Sequence, residues 1–167
     1  MKARPNQELT ITTIAGLPAH VLLVHLVVVL APATALLEML CGLWPAARRR
    51  LVWLVLAMAV VTTVLTPLTT EAGQWLLDQE KDPTAILQTH AERGEQMIYF
   101  SIALLLVAVA LAFLHWLEGR SDKRRAAANI AVLLLAVVVG ISSIVAVVRI
   151  GDAGSRAVWG DNANSGN

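Results

Sequence analysis

The chain has 167 residues, enough for one domain and short for two. Hydrophobic residues make up 57% of it and charged ones only 15%, against roughly 25% charged in ordinary soluble domains. The net charge of +1 removes any electrostatic case for nucleic-acid binding. The single cysteine, Cys41, excludes an internal disulfide and any CxxC redox or zinc motif.

Residues 1–16 read as an external N-terminal segment. The first apolar run, beginning "GLPAHVLLVHLVVVL", predicts a transmembrane helix over residues 17–43. "APA" at 31–33, after Lys2 and Arg4, resembles a signal-peptide cleavage site. The apolar run nevertheless continues through Leu36, Leu37, Met39 and Leu40, and arginines follow it, so the span is read as retained. Span two is expected over 51–70, span three over 96–117 and span four over 126–149. Each approaches the ~20 residues that cross about 30 Å of hydrocarbon as a helix. A polar external segment, 71–95, separates spans two and three, and 152–167 reads as an external flexible tail. Pro32 and Pro67 are expected to bend spans one and two, with Thr62, Thr63 and Thr66 available to the carbonyls they free.

This pattern predicts an all-α integral membrane protein, an antiparallel four-transmembrane-helix bundle. Frequent Ala and Gly allow the close helix contact that membrane packing requires. The two short connections carry Arg48, Arg49 and Arg50, then Arg120, Lys123, Arg124 and Arg125. The excess of positive charge assigns both to the cytoplasm, and so places both termini and segment 71–95 outside.

Ionisable residues gather at the expected outer end. His20 lies just inside the boundary, and His25 about 7 Å deeper. The two are five residues apart, so their directions differ by about 140° and they cannot act as a pair. His25 is expected to be buried and to need a hydrogen-bond partner on another helix or a ligand; if either histidine is a ligand, His90 is the candidate for its partner. Glu71, Glu95, Arg149 and Asp152 belong to the same end. Such groups usually face a bundle interior or a watery cavity. Candidate cofactor-binding residues are therefore His20, His25 and His90. Candidate metal ligands are His20, His90, Glu71, Glu95 and Asp152.

Plainer roles stand beside these. Arg149 and Asp152 are spaced to pair along one helix face, with Arg156 a further partner for Asp152. Glu71 also suits a helix end near water. His115, beside Trp116 and Glu118, reads as interfacial, and Cys41 as a small buried hydrophobe. Trp44, Trp53, Trp75, Trp116 and Trp159 suit boundary anchors. No ionisable group is read at mid-bilayer. Phosphate loops, GxSxG and HExxH are absent, so no catalytic motif supports an enzyme.

Four segments in order, "GLPAHVLLVHLVVVLAP", "PLTTEAGQWL", "HAERGE" and "VVRIGDAGSRAVWG", resemble the landmarks of the domain of unknown function 2231 family, covering roughly residues 16–160. The resemblance implies a four-helix protein of a bacterial cytoplasmic (inner) membrane, and no established activity. It also implies a histidine in the last motif, as G-H-S-G, where this chain has Asp152 in "GDAG". If that histidine is a ligand in relatives, this chain has lost or replaced it.

The leading reading is a structural or accessory membrane bundle whose polar cluster knits the helix ends together. The alternative is a haem b or divalent-metal redox protein, by a fold-level analogy with membrane b-type cytochromes. A third reading is a small transporter or proton path using His25 and Glu71. The lipid bilayer is the expected surroundings. Membrane-protein partners and a homo-oligomer both remain open.

Overall fold

The computed structural model of the chain describes residues 13–14, 17–120 and 125–164. Most of the N-terminal segment, together with Lys123 and Arg124, lies outside the described residues. Thr13–Ile14 pairs antiparallel with Leu17–Pro18. Four helices follow: α1 (Ala19–Leu43), α2 (Pro45–Leu77), α3 (Ala85–Arg120) and α4 (Ala126–Asn164). All four are long and apolar enough to cross a membrane. The predicted architecture, an all-α four-helix membrane bundle, is the one observed.

Runs of Leu, Val and Ala become helices because a chain in lipid must satisfy its backbone hydrogen bonds internally. Trp44 alone separates α1 from α2. Its extended backbone (φ −123°, ψ 103°) turns the chain, and Pro45 takes the first helical position of α2, where a missing N–H costs nothing. Each helix packs on its neighbours in sequence, and α4 closes back on α1 to complete a ring.

Small or hydroxylic residues take many of the buried positions, Ala31, Thr34 and Ala35 in α1, Ala59 and Thr62 in α2, Ser101 and Ala108 in α3, Ala136 and Ser143 in α4, beside larger ones such as Val52, Val55, Leu104 and Leu111. Large apolar residues such as Val29, Leu36, Leu54, Leu106, Leu134 and Val138 point outward. Lipid gives apolar side chains no reason to leave the surface, so close backbone approach selects what lies inside.

The threonines of α2 do not serve the proline bends in the expected way. Thr62, Thr63, Thr66, Thr69 and Thr70 each donate to the carbonyl four residues back, and Thr63 also reaches Ser101 O of α3 at 3.1 Å.

The helices outrun their apolar segments. Residues 71–77 complete α2 and 85–95 begin α3, leaving 78–84 as the connection, while α4 continues past 149 to Asn164. The 33 residues of α2 span about 50 Å, against about 30 Å of hydrocarbon. The surplus lies at the end where α1 begins, hereafter the histidine end. The opposite, arginine end is nearly flush.

Two charged residues depart from the sequence expectation. Arg48 is not a solvated loop charge; it sits in the first turn of α2 and is fully buried. Its Nε and Nη2 donate to the two carboxyl oxygens of Glu118 in α3, Nη2 also to Asn129 Oδ1 in α4 (2.7 Å), and Nη1 to the Cys41 carbonyl of α1 (3.2 Å). One guanidinium thus joins all four helices. Glu38 of α1, which the sequence reading passed over, is also fully buried, five residues from the end of the helix. A single carboxyl in "LLEMLCG" hardly disturbs an apolar run, so hydropathy passes over it.

Candidate functional site

At the histidine end, α1 and α3 each direct one imidazole onto a neighbouring helix. His20, in the first turn of α1, donates from Nδ1 to the Thr69 carbonyl of α2 at 2.9 Å. His90, on α3, donates from Nδ1 to the Ile150 carbonyl of α4 at 3.0 Å. A carbonyl can only accept, so each Nδ1 carries a proton and each Nε2 of the neutral rings keeps its lone pair. The two rings approach each other with centres 6.2 Å apart and planes at 83°.

The two contacts are built alike. One turn beyond Thr69 stands Gly73, and one turn beyond Ile150 stands Gly154. A Cβ on Gly73 would lie 2.8 Å from His20 Nδ1, and one on Gly154 would lie 2.9 Å from His90 Cε1. Each ring therefore rests in a notch that only glycine leaves open. The glycines of "EAGQW" and "GDAG" have the same task, and the hairpins α1–α2 and α3–α4 repeat one unit: a histidine, a carbonyl and a glycine four residues later.

Between the rings and the surrounding helices lies a cleft of about 460 Å³, within the range usual for small-molecule sites. Its lining is mostly apolar, with Val24, Val27, Val28, Met97 and Val147, and its polar groups include His20, His90, Thr66, Thr69 and Gln74. The extended ends of α2 and α3 supply part of the wall through Leu77, Leu87 and Gly94. Part of the polar segment between spans two and three thus lines the cleft.

The other sequence candidates lie elsewhere. His25 is exposed on the outside of the bundle, and its Nδ1 is satisfied by the Val21 carbonyl of its own helix. The expectation of a buried His25 bound by another helix is corrected. A turn of about 140° from an inward His20 carries it outward. Glu71 is exposed. Glu95 is exposed and accepts from Gln74 Nε2 at 2.8 Å. Asp152 is exposed and pairs with Arg156 at 3.1 Å rather than with Arg149. Among the described residues, no three His, Cys, Asp or Glu side chains come together as a metal-holding group. What converges is two histidines. His115, at the other end, stands edge-on to Trp53.

Sequence reasoning missed the glycine notches, although the glycines stood in the quoted motifs. A four-residue interval between a carbonyl and a glycine becomes a signal only once the facing helix is known.

No curated protein and no solved structure matches the chain. A family model described as "Predicted membrane protein (DUF2231)" matches residues 16–166. All four convergent elements, from the turn of α1 that holds His20 to the Gly154 notch of α4, fall inside that match, and the chain belongs to the DUF2231 family of predicted membrane proteins.

Proposed function

We propose that the chain is a membrane protein that binds one metal-centred group at the histidine end, between His20 and His90, with haem b the best fit. The observation that carries this reading is the pair of imidazoles whose Nδ1 atoms are both committed to backbone carbonyls. Metal-bound histidines are commonly oriented in this way, with the free nitrogen left for the metal. The ring centres lie 6.2 Å apart, edge to face, a separation compatible with two metal–imidazole bonds of about 2 Å each. Two nitrogens are too few for a closed structural zinc site, which takes four protein ligands. His20 and His90 would together hold a haem iron, and the largely apolar cleft would suit a macrocycle. Bound there, the group would supply one-electron chemistry, while His20 and His90 would hold and orient it.

A second reading has its own support. Each imidazole already crosslinks two helices and fills a notch, as a purely structural tie would. In that case the chain is an accessory bundle. A charge relay through His25 and Glu71 has no such support, because both side chains are exposed.

The two readings separate on the protein purified in mild detergent. The binding reading expects a Soret band, or one equivalent of a transition metal by elemental analysis, lost in both His20→Ala and His90→Ala and kept in His25→Ala. A preparation with neither pigment nor metal, still unable to take up added haemin, defeats it. Excess Arg at the opposite end, by the positive-inside rule, favours an outward-facing histidine end in a bacterial cytoplasmic membrane.

A further inference from the structure

At the other end of α1 lies a polar group of a different kind. Glu38 is about 7 Å from the Leu43 terminus of the helix. It is fully buried, and neither carboxyl oxygen has a hydrogen-bond partner among the described residues. Thr34, one turn earlier on the same face, is fully buried too, and its hydroxyl is equally unpartnered. Three residues beyond Glu38, Cys41 packs in a buried cluster with Val52 and Val55 of α2, Leu111 of α3 and Ala136 of α4. The members of that cluster from the neighbouring helices are apolar.

No described charge balances an ionised Glu38. On α2, Arg48 is bonded to Glu118, Asn129 and the Cys41 carbonyl. On α3, Glu118 takes that guanidinium and His115 lies against Trp53. On the α4 side, Arg125 stands just before the helix begins. His20 and His90 are at the far end. A bare carboxylate inside a lipid-embedded bundle carries a heavy desolvation penalty. Hard cations such as magnesium or calcium take six or more oxygen ligands, and only one carboxyl and one hydroxyl are free here. The species that fits is the neutral acid.

We propose that Glu38, with the unpartnered Thr34 hydroxyl one turn away on the same face as the group able to bond to it, is a proton-binding site inside the bundle that holds one exchangeable proton. The Arg48 network, which includes the Cys41 carbonyl three residues along α1, ends at Glu118, whose side chain is 27% exposed, but no hydrogen bond joins it to Glu38 among the described residues.

Infrared difference spectroscopy on the whole protein in phosphatidylcholine vesicles tests this. A protonated-acid C=O band is expected at neutral pH and should be missing in E38Q. It should shift on transfer to D₂O and vanish reversibly as the pH is raised while the helical amide band stays constant. T34V should move the band upward by removing a hydrogen bond. The proposal is overturned by an absent acid band at neutral pH, by a band that E38Q retains, or by one that neither shifts in D₂O nor titrates. Loss of the band on adding sodium or magnesium at constant pH also overturns it, because the ligand is then a cation. Where E38Q does not assemble, the wild-type titration decides alone. A band unmoved by T34V overturns the role of Thr34.

Discussion

At the scale of single residues, the histidine end shows how little separates a ligand from a lipid-facing side chain. His20 and His25 share one helix, one residue type and an apolar neighbourhood, yet one donates across the bundle and the other to its own backbone. Helix arithmetic told from sequence that they face different ways. Every residue around them is apolar, and the inward azimuth is marked only further along α1, by the buried Thr34 and Glu38, whose face runs back in helical steps through Val27 to His20. The glycine notches make the inward choice testable. Gly73→Ala should push the His20 ring off the Thr69 carbonyl, at a cost near one hydrogen bond, about 1 kcal/mol. Alanine's better helix propensity offsets part of that cost, so the single variant is a poor measure. The coupling is the better one: in a double-mutant cycle with His20→Ala, the penalty of Gly73→Ala should shrink by about 1 kcal/mol. Gly154→Ala with His90→Ala should behave alike. Unfolding by SDS titration measures both cycles, and additive effects would show that the rings do not depend on the notches.

Between elements, the arginine end holds the strongest tie. Arg48, itself fully buried, connects α2 to the part-exposed side chains of Glu118 and Asn129 and to the backbone of α1. Arg48→Ala removes that tie and should destabilise the bundle by about 2 kcal/mol. The Arg49→Ala change, at an exposed neighbour, should have almost no effect in the same unfolding assay. Equal effects would mean that the network adds nothing beyond charge. The sequence indicated the charge cluster "ARRR" but not its division of labour. One arginine turns inward because α2 begins at Pro45 and Arg48 falls on the face that carries Val52, Val55 and Ala59. The start of a helix, set here by a single connecting residue, is the kind of boundary that hydropathy leaves blurred.

For the whole molecule, the fold was readable from sequence. Four apolar runs and short connections leave lipid few alternatives, and the resemblance carried by four separated motifs agrees with the family match. The candidate site was half readable: His20 and His90 were named, whereas Glu71, Glu95 and Asp152 were grouped with them by depth alone and prove to be exposed on helix extensions. Orientation in the membrane is checked by labelling. With buried Cys41 replaced by Ser, a cysteine introduced at Glu80 should react with a membrane-impermeant maleimide added to intact cells. One introduced at Gly119 should react only after lysis. The reverse pattern would invert the topology drawn from the arginines.

The overshoot of the helices has a consequence for the histidine pair. Counted from Leu51, just after the exposed Arg49 and Arg50, Thr69 lies about 27 Å up α2, close to the far boundary of a hydrocarbon layer of about 30 Å. The rings therefore sit at a waterline. In a thin bilayer the cleft stands among headgroups and stays wet; in one a few ångströms thicker it is drawn down among acyl chains and dries. The thickness of the host membrane thus acts on this protein as a control over the hydration of its two imidazoles.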